Sequence, residues 1–315
     1  MKKFIGYLKA YYDEEFSWSY LAFIVLFLTG AIYWVYHDPY EFISQRNLLI
    51  TTPGKRFLYP LFYAIPFLVA FGGHSIFKRN FSFFAKWQFW ALFVVAVLIF
   101  SFRQMFYLDF YEWTERFTFE KYPYFFRKVL TDAVQLIFVL TAITLVWLFD
   151  RKSSDSPYGF TLKNFDLKPY FIILAIMLPF VIGFGLTDHF TGYYPRGLKN
   201  HSYYFNGELN VSGWYYVLYE LIYGLDFISI EYFFRGFLVI AFIRFVGPGS
   251  IMPMATFYVF IHFGKPMVET ISSFFGGTLL GIITYYSRSI WGGIVVHMGI
   301  AWLMELGAFI GQSNK

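Results

Sequence analysis

A carboxylate and a guanidinium, Glu231 and Arg235, sit inside "LDFISIEYFFRGFLVIAF" (225–242), a run otherwise almost wholly apolar and aromatic. Four residues apart on a helix, they share a face and can pair. Two imidazoles follow on separate apolar runs. His262 lies near the end of "MPMATFYVFIHF", and His297 lies within "SIWGGIVVHMGIAWLMEL", where Glu305 follows eight residues later on the same face. Glu220 and Asp226 precede Glu231 on a stretch that can be the same helix. Ionisable groups within apolar spans are rare, face the protein interior, and are functional candidates by default. A carboxylate with two imidazoles can deprotonate water as a general base, or supply three ligands to a divalent metal that keeps one open position. Taken singly, Glu231 with Arg235 reads as a buried ion pair that fixes one helix packing, and each histidine as hydrogen-bonding glue between helices. Taken together, within about 75 residues, they read as one buried, wet pocket and point to catalysis.

The elements that must carry these groups are membrane helices. Charged residues make up 14% of the chain and hydrophobic ones 58%, with a mean hydropathy of +0.51. A water-facing surface needs about a quarter of the residues charged, so the composition predicts an integral, multi-pass membrane protein. Apolar runs cover roughly 18–36, 57–77, 87–105, 128–149, 169–187, 212–229, 230–246, 250–263, 270–287 and 289–311. Several are short, and 212–246 can be one long, bent helix, so the expected fold is an all-α polytopic bundle of eight or nine transmembrane helices. The runs lack the alternation of a barrel. Polar connections fall near 37–56, 106–127, 150–168 and 188–211; the stretch 107–128 mixes aromatics with both charge signs, as an interfacial helix or an aqueous loop would. Asp132, near the start of its span, is placed at the membrane interface. Two regions are expected: N-terminal helices over 1–211, to which the sequence gives no role beyond insertion and framing, and a chemistry-bearing core over 212–311.

Cysteine is absent, which removes disulfides, thiol catalysis and Cys-ligated zinc. The net charge of +5 is modest and its basic residues cluster at the ends of apolar runs, which suits lipid headgroups and not nucleic acid. With nine spans those residues divide evenly between the two sides, so they set no orientation. The N-terminal "MKKFIGYLKAYYDEEFSW" turns from basic to acidic with no small-residue cleavage site after it, so its apolar run is expected to stay as an anchor.

The order "EYFFRG", a short helix ending in His, then "SIWGGIVVH" resembles the CAAX protease and bacteriocin-processing family of intramembrane endopeptidases, which includes the Ras-converting-enzyme type. That family carries Glu-Glu-x-x-x-Arg, Phe-x-x-x-His and His-x-x-x-Asn/Asp motifs on successive helices. The likeness spans roughly 212–310, about a third of the chain. Aligned on Arg235, the second glutamate is Glu231, while Ile230 takes the first position. His262 matches the second motif, with Tyr258 in place of its aromatic, and His297 matches the third, with Ala301 at the Asn/Asp position. The resemblance implies that a carboxylate and His262 activate water and that His297 steadies the oxyanion. Helix geometry puts Asp226 one turn before Ile230 and Glu305 one turn after Ala301, so each missing group has a carboxylate one turn away. Glu305 would accept a hydrogen bond from an imidazole, but donates to an oxyanion only when protonated. In the alternative, Glu231 takes the base role and Arg235 tunes it.

The expected function is therefore hydrolysis of a peptide bond near the membrane surface. The catalytic candidates are Glu231, His262, His297, Asp226 and Glu305, with Arg235 in support. Glu231, His262 and His297 would also suit a divalent metal such as zinc, although the resemblance allows metal-free glutamate chemistry, and the reading leans that way. Membrane lipids and a hydrophobic or lipidated peptide are the expected partners, and the cell membrane the expected location. Two rivals remain. Loss of polar groups at Ile230 and Ala301 is what a catalytically inactive, peptide-binding scaffold or immunity factor would show. A transporter would use similar charges, but no paired, symmetric broken helices are evident. Between the second and third motifs, Lys265 and Glu269 in "HFGKPMVET" would line the pocket mouth or form a simple interfacial turn.

Overall fold

A computed structural model of the chain describes residues 2–37, 51–117, 119–150, 156–163 and 165–313. Its long helices, in chain order, are α1 (Lys2–Glu14), α2 (Trp18–His37), α3 (Tyr59–Lys78), α4 (Trp87–Met105), α5 (Pro123–Asp150), α6 (Lys168–Gly185), α7 (Gly213–Glu231), α8 (Ile251–Phe260), α9 (Met267–Ser287) and α10 (Trp291–Ser313). No strand occurs among the described residues. Among the described residues eight stretches are long and apolar enough to cross a membrane, and the chain is an integral multi-pass helical protein. The connections expected at 37–56 and 150–168 lie partly outside the described residues.

Two local differences from the expected pattern have physical causes. Helix α5 begins at Pro123, several residues before the apolar run, because proline's fixed φ suits the first turn of a helix. Upstream of it, 107–116 forms a short helix, Tyr107–Trp113, and a 3-10 turn, Thr114–Arg116. The second difference follows α7. Residues Tyr232–Ala241 are π-helical, with i→i+5 hydrogen bonds.

The chain divides into two compact units that interleave in sequence. One comprises residues 1–105, 142–165 and 232–290; the other comprises 106–141, 166–231 and 291–315. In the first unit the core is aromatic. Phe67, Phe71, Phe83 and Phe89 are fully buried, with Phe67 stacked on Phe93 at 5.2 Å and Phe71 edge-on to Phe89 at 5.0 Å. Lipid tails are as apolar as these rings, so close packing and hydrogen bonds, not water exclusion, hold such helices together. Tyr20 Oη donates to the Ala70 carbonyl at 2.7 Å, and Arg244 pairs with Asp150 at 2.5 Å.

In the second unit, α6 and α10 touch backbone to backbone. A Cβ on Gly185 would lie 2.5 Å from the carbonyl carbon of Gly307, so only glycine allows this approach. Helices α7 and α10 run antiparallel: Glu231 meets the start of α10, while Glu220 meets Trp302 eleven residues earlier on α7. Ahead of α7, one-turn helices at Asp188–Thr191, Arg196–Lys199 and His201–Tyr204 occupy the connection expected at 188–211. Tyr122, Phe125, Tyr204, Phe205 and Tyr219 bury an aromatic cluster there.

Candidate functional site

In the second unit, α7 delivers its last residue, Glu231, to the first third of α10. Glu231 is 0% exposed, and His297 Nδ1 lies 2.8 Å from its Oε1. A carboxylate accepts, so Nδ1 carries the proton and donates. In the neutral imidazole Nε2 is then the lone-pair nitrogen. The Phe227 ring, one turn before Glu231, packs on the imidazole with centroids 4.3 Å apart. Gly293, one turn before His297, makes the room: a Cβ there would stand 2.1 Å from Glu231 Oε2. The third and seventh residues of α10 are thus used together, one leaving space for the carboxylate and the other bonding to it. His297 lies six residues into α10, about 9 Å along its axis.

The other expected residues of this unit are placed as follows. Asp226 Oδ1 accepts from Ser229 Oγ at 2.9 Å, and the same hydroxyl bonds the Asp226 carbonyl at 2.8 Å. Glu305 Oε2 accepts from the backbone N–H of Arg196 at 2.8 Å. Glu305 also lines a cavity together with Glu220. Ile230 and Ala301, at the two departures from the family motifs, are both buried. Asp132 pairs with Lys128 one turn before it. Phe227 and Ser229 escaped the sequence reading; Gly293 lies four residues before His297, on the same helix face.

In the first unit, Arg235 is 1% exposed and its guanidinium lies over the Tyr258 ring, 4.4 Å from the centroid. Tyr258 in turn meets the His262 ring edge-on at 4.5 Å. His262 Nδ1 lies 2.8 Å from the Tyr258 carbonyl, which can only accept, so His262 has the same tautomer as His297, with Nε2 as its lone-pair nitrogen. The next turn is tied down from several sides. Thr270 Oγ1 donates to the His262 carbonyl at 2.9 Å, Tyr36 Oη donates to the Lys265 carbonyl at 2.6 Å, and Lys265 pairs with Glu269 at 2.6 Å. Lys265 and Glu269 therefore brace the turn against each other.

Glu231, His262 and His297 are the residues expected to hold a divalent metal. Among the described residues no three His, Asp or Glu side chains are arranged to hold a metal ion. Each histidine gives Nδ1–H to a protein acceptor and keeps Nε2 as its lone-pair nitrogen.

The family described as type II CAAX prenyl endopeptidase Rce1-like matches residues 211–303. The match takes in Glu231, His262 and His297 and stops before Glu305. No curated protein and no solved structure matches the chain.

Proposed function

We propose that the Rce1-like domain of residues 211–303 is an intramembrane endopeptidase that processes CAAX-like or otherwise membrane-presented peptides, and that Glu231 and His297 together move the proton its hydrolysis requires. The observation that carries this reading is the 2.8 Å bond from His297 to a fully buried carboxylate. A carboxylate on Nδ1 orients an imidazole and stabilises the imidazolium that forms when Nε2 takes a proton. In this reading His297 Nε2 accepts a proton from water as the oxygen attacks the scissile carbonyl. The imidazolium then returns that proton to the departing amine nitrogen, and Glu231 stays ionised throughout. The depth of His297, about 9 Å from the start of α10, suits a bond presented near the membrane surface. The oxyanion role implied by resemblance needs His297 to donate through Nε2, which it does as the imidazolium.

His262 has its Nδ1 committed to the Tyr258 carbonyl and Nε2 as its lone-pair nitrogen, and the water-activating role that the resemblance implies for it passes in this reading to His297. Asp226 and Arg235 are read as supporting groups. The residues are proposed to work in the cell membrane on a hydrophobic or lipidated substrate. The inactive reading is favoured by one observation, the apolar Ile230 and Ala301 at two family positions.

The test is cleavage of a panel of membrane-presented peptides, lipidated and plain, by the full-length protein in lipid. We expect Glu231→Gln and His297→Ala each to lower the rate by about 100-fold or more, the usual cost of losing a general acid–base group. Chelator should leave the rate unchanged. Cleavage that survives both substitutions would remove the pair from the mechanism. If wild type cuts nothing in the panel while still binding its peptides, the scaffold reading replaces this one.

A further inference from the structure

The contact between α7 and α10 also builds a second feature at its other end. A cavity of about 620 Å³ lies there, with Tyr216 and Glu220 from α7 and Trp302, Glu305, Leu306 and Phe309 from α10 on its walls. Its frame is fixed. The Trp302 indole lies across Gly224, where a Cβ would come within 2.5 Å of Cζ2, and Trp302 Nε1 donates to the Glu220 carbonyl at 3.1 Å.

Two acceptor atoms on residues that line this cavity lack donors. Glu305 is only 7% exposed; its Oε2 takes the Arg196 N–H, while its buried Oε1 makes no hydrogen bond. Glu220 Oε2 is likewise buried without a bond. Buried polar atoms are nearly always satisfied, and an orphaned one asks what supplies the donor. Among the described residues no Lys, Arg or His lines the cavity. The nearby Arg196 guanidinium lies against the rings of Tyr193 and Tyr223, at 5.2 and 5.9 Å.

We propose that this cavity binds a long-chain primary ammonium amphiphile. An ammonium group has three donors and no acceptor, which matches two orphaned carboxylate oxygens. The aromatic rings of Tyr216 and Trp302 on its walls are compatible with a cation as well. The hydrocarbon chain follows from the mouth. Leu306 and Phe309 are about half exposed within a membrane span, so the cavity opens toward lipid and its occupant arrives from the bilayer. Depth agrees: Glu220 lies seven residues from the start of α7, about 10 Å, where an amine anchored at headgroup level would sit. A phospholipid is disfavoured because its phosphate would enter beside two carboxylates. The site shares no residue with the Glu231–His297 pair and stands whether or not the endopeptidase reading does.

The test measures saturation binding of dodecylamine, dodecanol and dodecyl sulfate to the full-length protein in phosphatidylcholine nanodiscs, with empty nanodiscs subtracted. Dodecylamine should bind saturably, one per chain, and at least about 10-fold more tightly than dodecanol, the worth of one charge-assisted hydrogen bond. Dodecyl sulfate should show no saturable binding. Glu305→Gln and Glu220→Gln should each weaken the amine by about 10-fold, and the double substitution should abolish saturation. Equal affinity for the amine and the alcohol overturns the proposal, and that comparison uses wild type alone, so it does not depend on any variant folding. Undiminished amine binding by a folded double variant overturns it too.

Discussion

The two ends of the α7–α10 contact have the same scaffold and nearly the same ingredients, yet opposite chemistry. At one end Glu231 meets an imidazole, and its Oε1 is bonded at 2.8 Å. At the other, Glu220 and Glu305 share a cavity that among the described residues has no Lys, Arg or His on its walls, and each keeps a buried oxygen without a donor. Eleven residues of α7 separate the two glutamates, about 16 Å along its axis. A carboxylate at a helix–helix contact therefore has no fixed role. What the facing helix presents decides whether it is bonded to an imidazole or keeps a buried oxygen without a donor. A glycine sits at each end and sets the contact, Gly293 beside Glu231 and Gly224 beside Trp302.

The glycines give the strongest way to break this contrast. Gly293→Ala would put a methyl 2.1 Å from Glu231 Oε2, a distance real Cβ atoms do not show, so the fully buried carboxylate must move off His297. Peptide cleavage should fall by about 100-fold, as though the pair itself had been removed, while amine binding at the far end of the helices should hold. A Gly293→Ala protein that cleaves at the wild-type rate would mean that the close contact does not position the catalytic carboxylate.

The smaller counterpart is Gly224→Ala. Its methyl would stand 2.5 Å from the Trp302 indole, which is rigid and must swing aside. Crowding of this kind usually costs about 1–3 kcal/mol of stability. Its specific signature should be a roughly 10-fold weaker dodecylamine affinity, since Trp302 is a cavity wall and its bond to the Glu220 carbonyl would be lost. If affinity is kept while thermal stability drops, Trp302 holds the helices together but does not shape the binding site.

Much of this was legible in the residues, and the parts that were not share a cause. The helices could be read because runs of about 20 apolar residues have few other uses. Glu231, His262 and His297 could be read as candidates because ionisable groups are costly in such runs. Partnership was harder to read. Spacing along the chain suggested Arg235 for Glu231, but it could not show that a bond of Glu231 reaches His297, 66 residues on. Spacing likewise suggested Glu305 as a substitute one turn from Ala301, but Glu305 accepts from Arg196 and shares a cavity with Glu220. One sequence carries the periodicity of each helix but not the register between antiparallel helices, so Gly293 and Gly224 gained their meaning from the facing side chains.

The cavity end also has a polar cap, and the smallest expected effect tests it. Tyr216, a cavity wall, lies 2.5 Å from His201 Nδ1; His201 Nε2 donates to the Glu208 carbonyl at 2.8 Å. Tyr122 Oη donates to the Glu208 carboxylate at 2.6 Å. This bond, helped by Lys121, holds the Glu208 carboxyl below the usual carboxylate range. A carboxyl lowered by folding stabilises the folded cap above its unfolded pKa, and that contribution is lost as pH falls through the folded one. Acidification below about pH 4 should therefore loosen 201–216 first, with Glu231 and His297 at the far end unaffected by this step. Hydrogen exchange of the 201–211 amides, compared between wild type and Glu208→Gln at matched pH, reads it directly. Wild type should be the better protected at pH 7, and the two should converge in acid. Because Glu208 is exposed the difference should be slight, and equal protection at pH 7 would show that the carboxylate does not hold the cap over Tyr216.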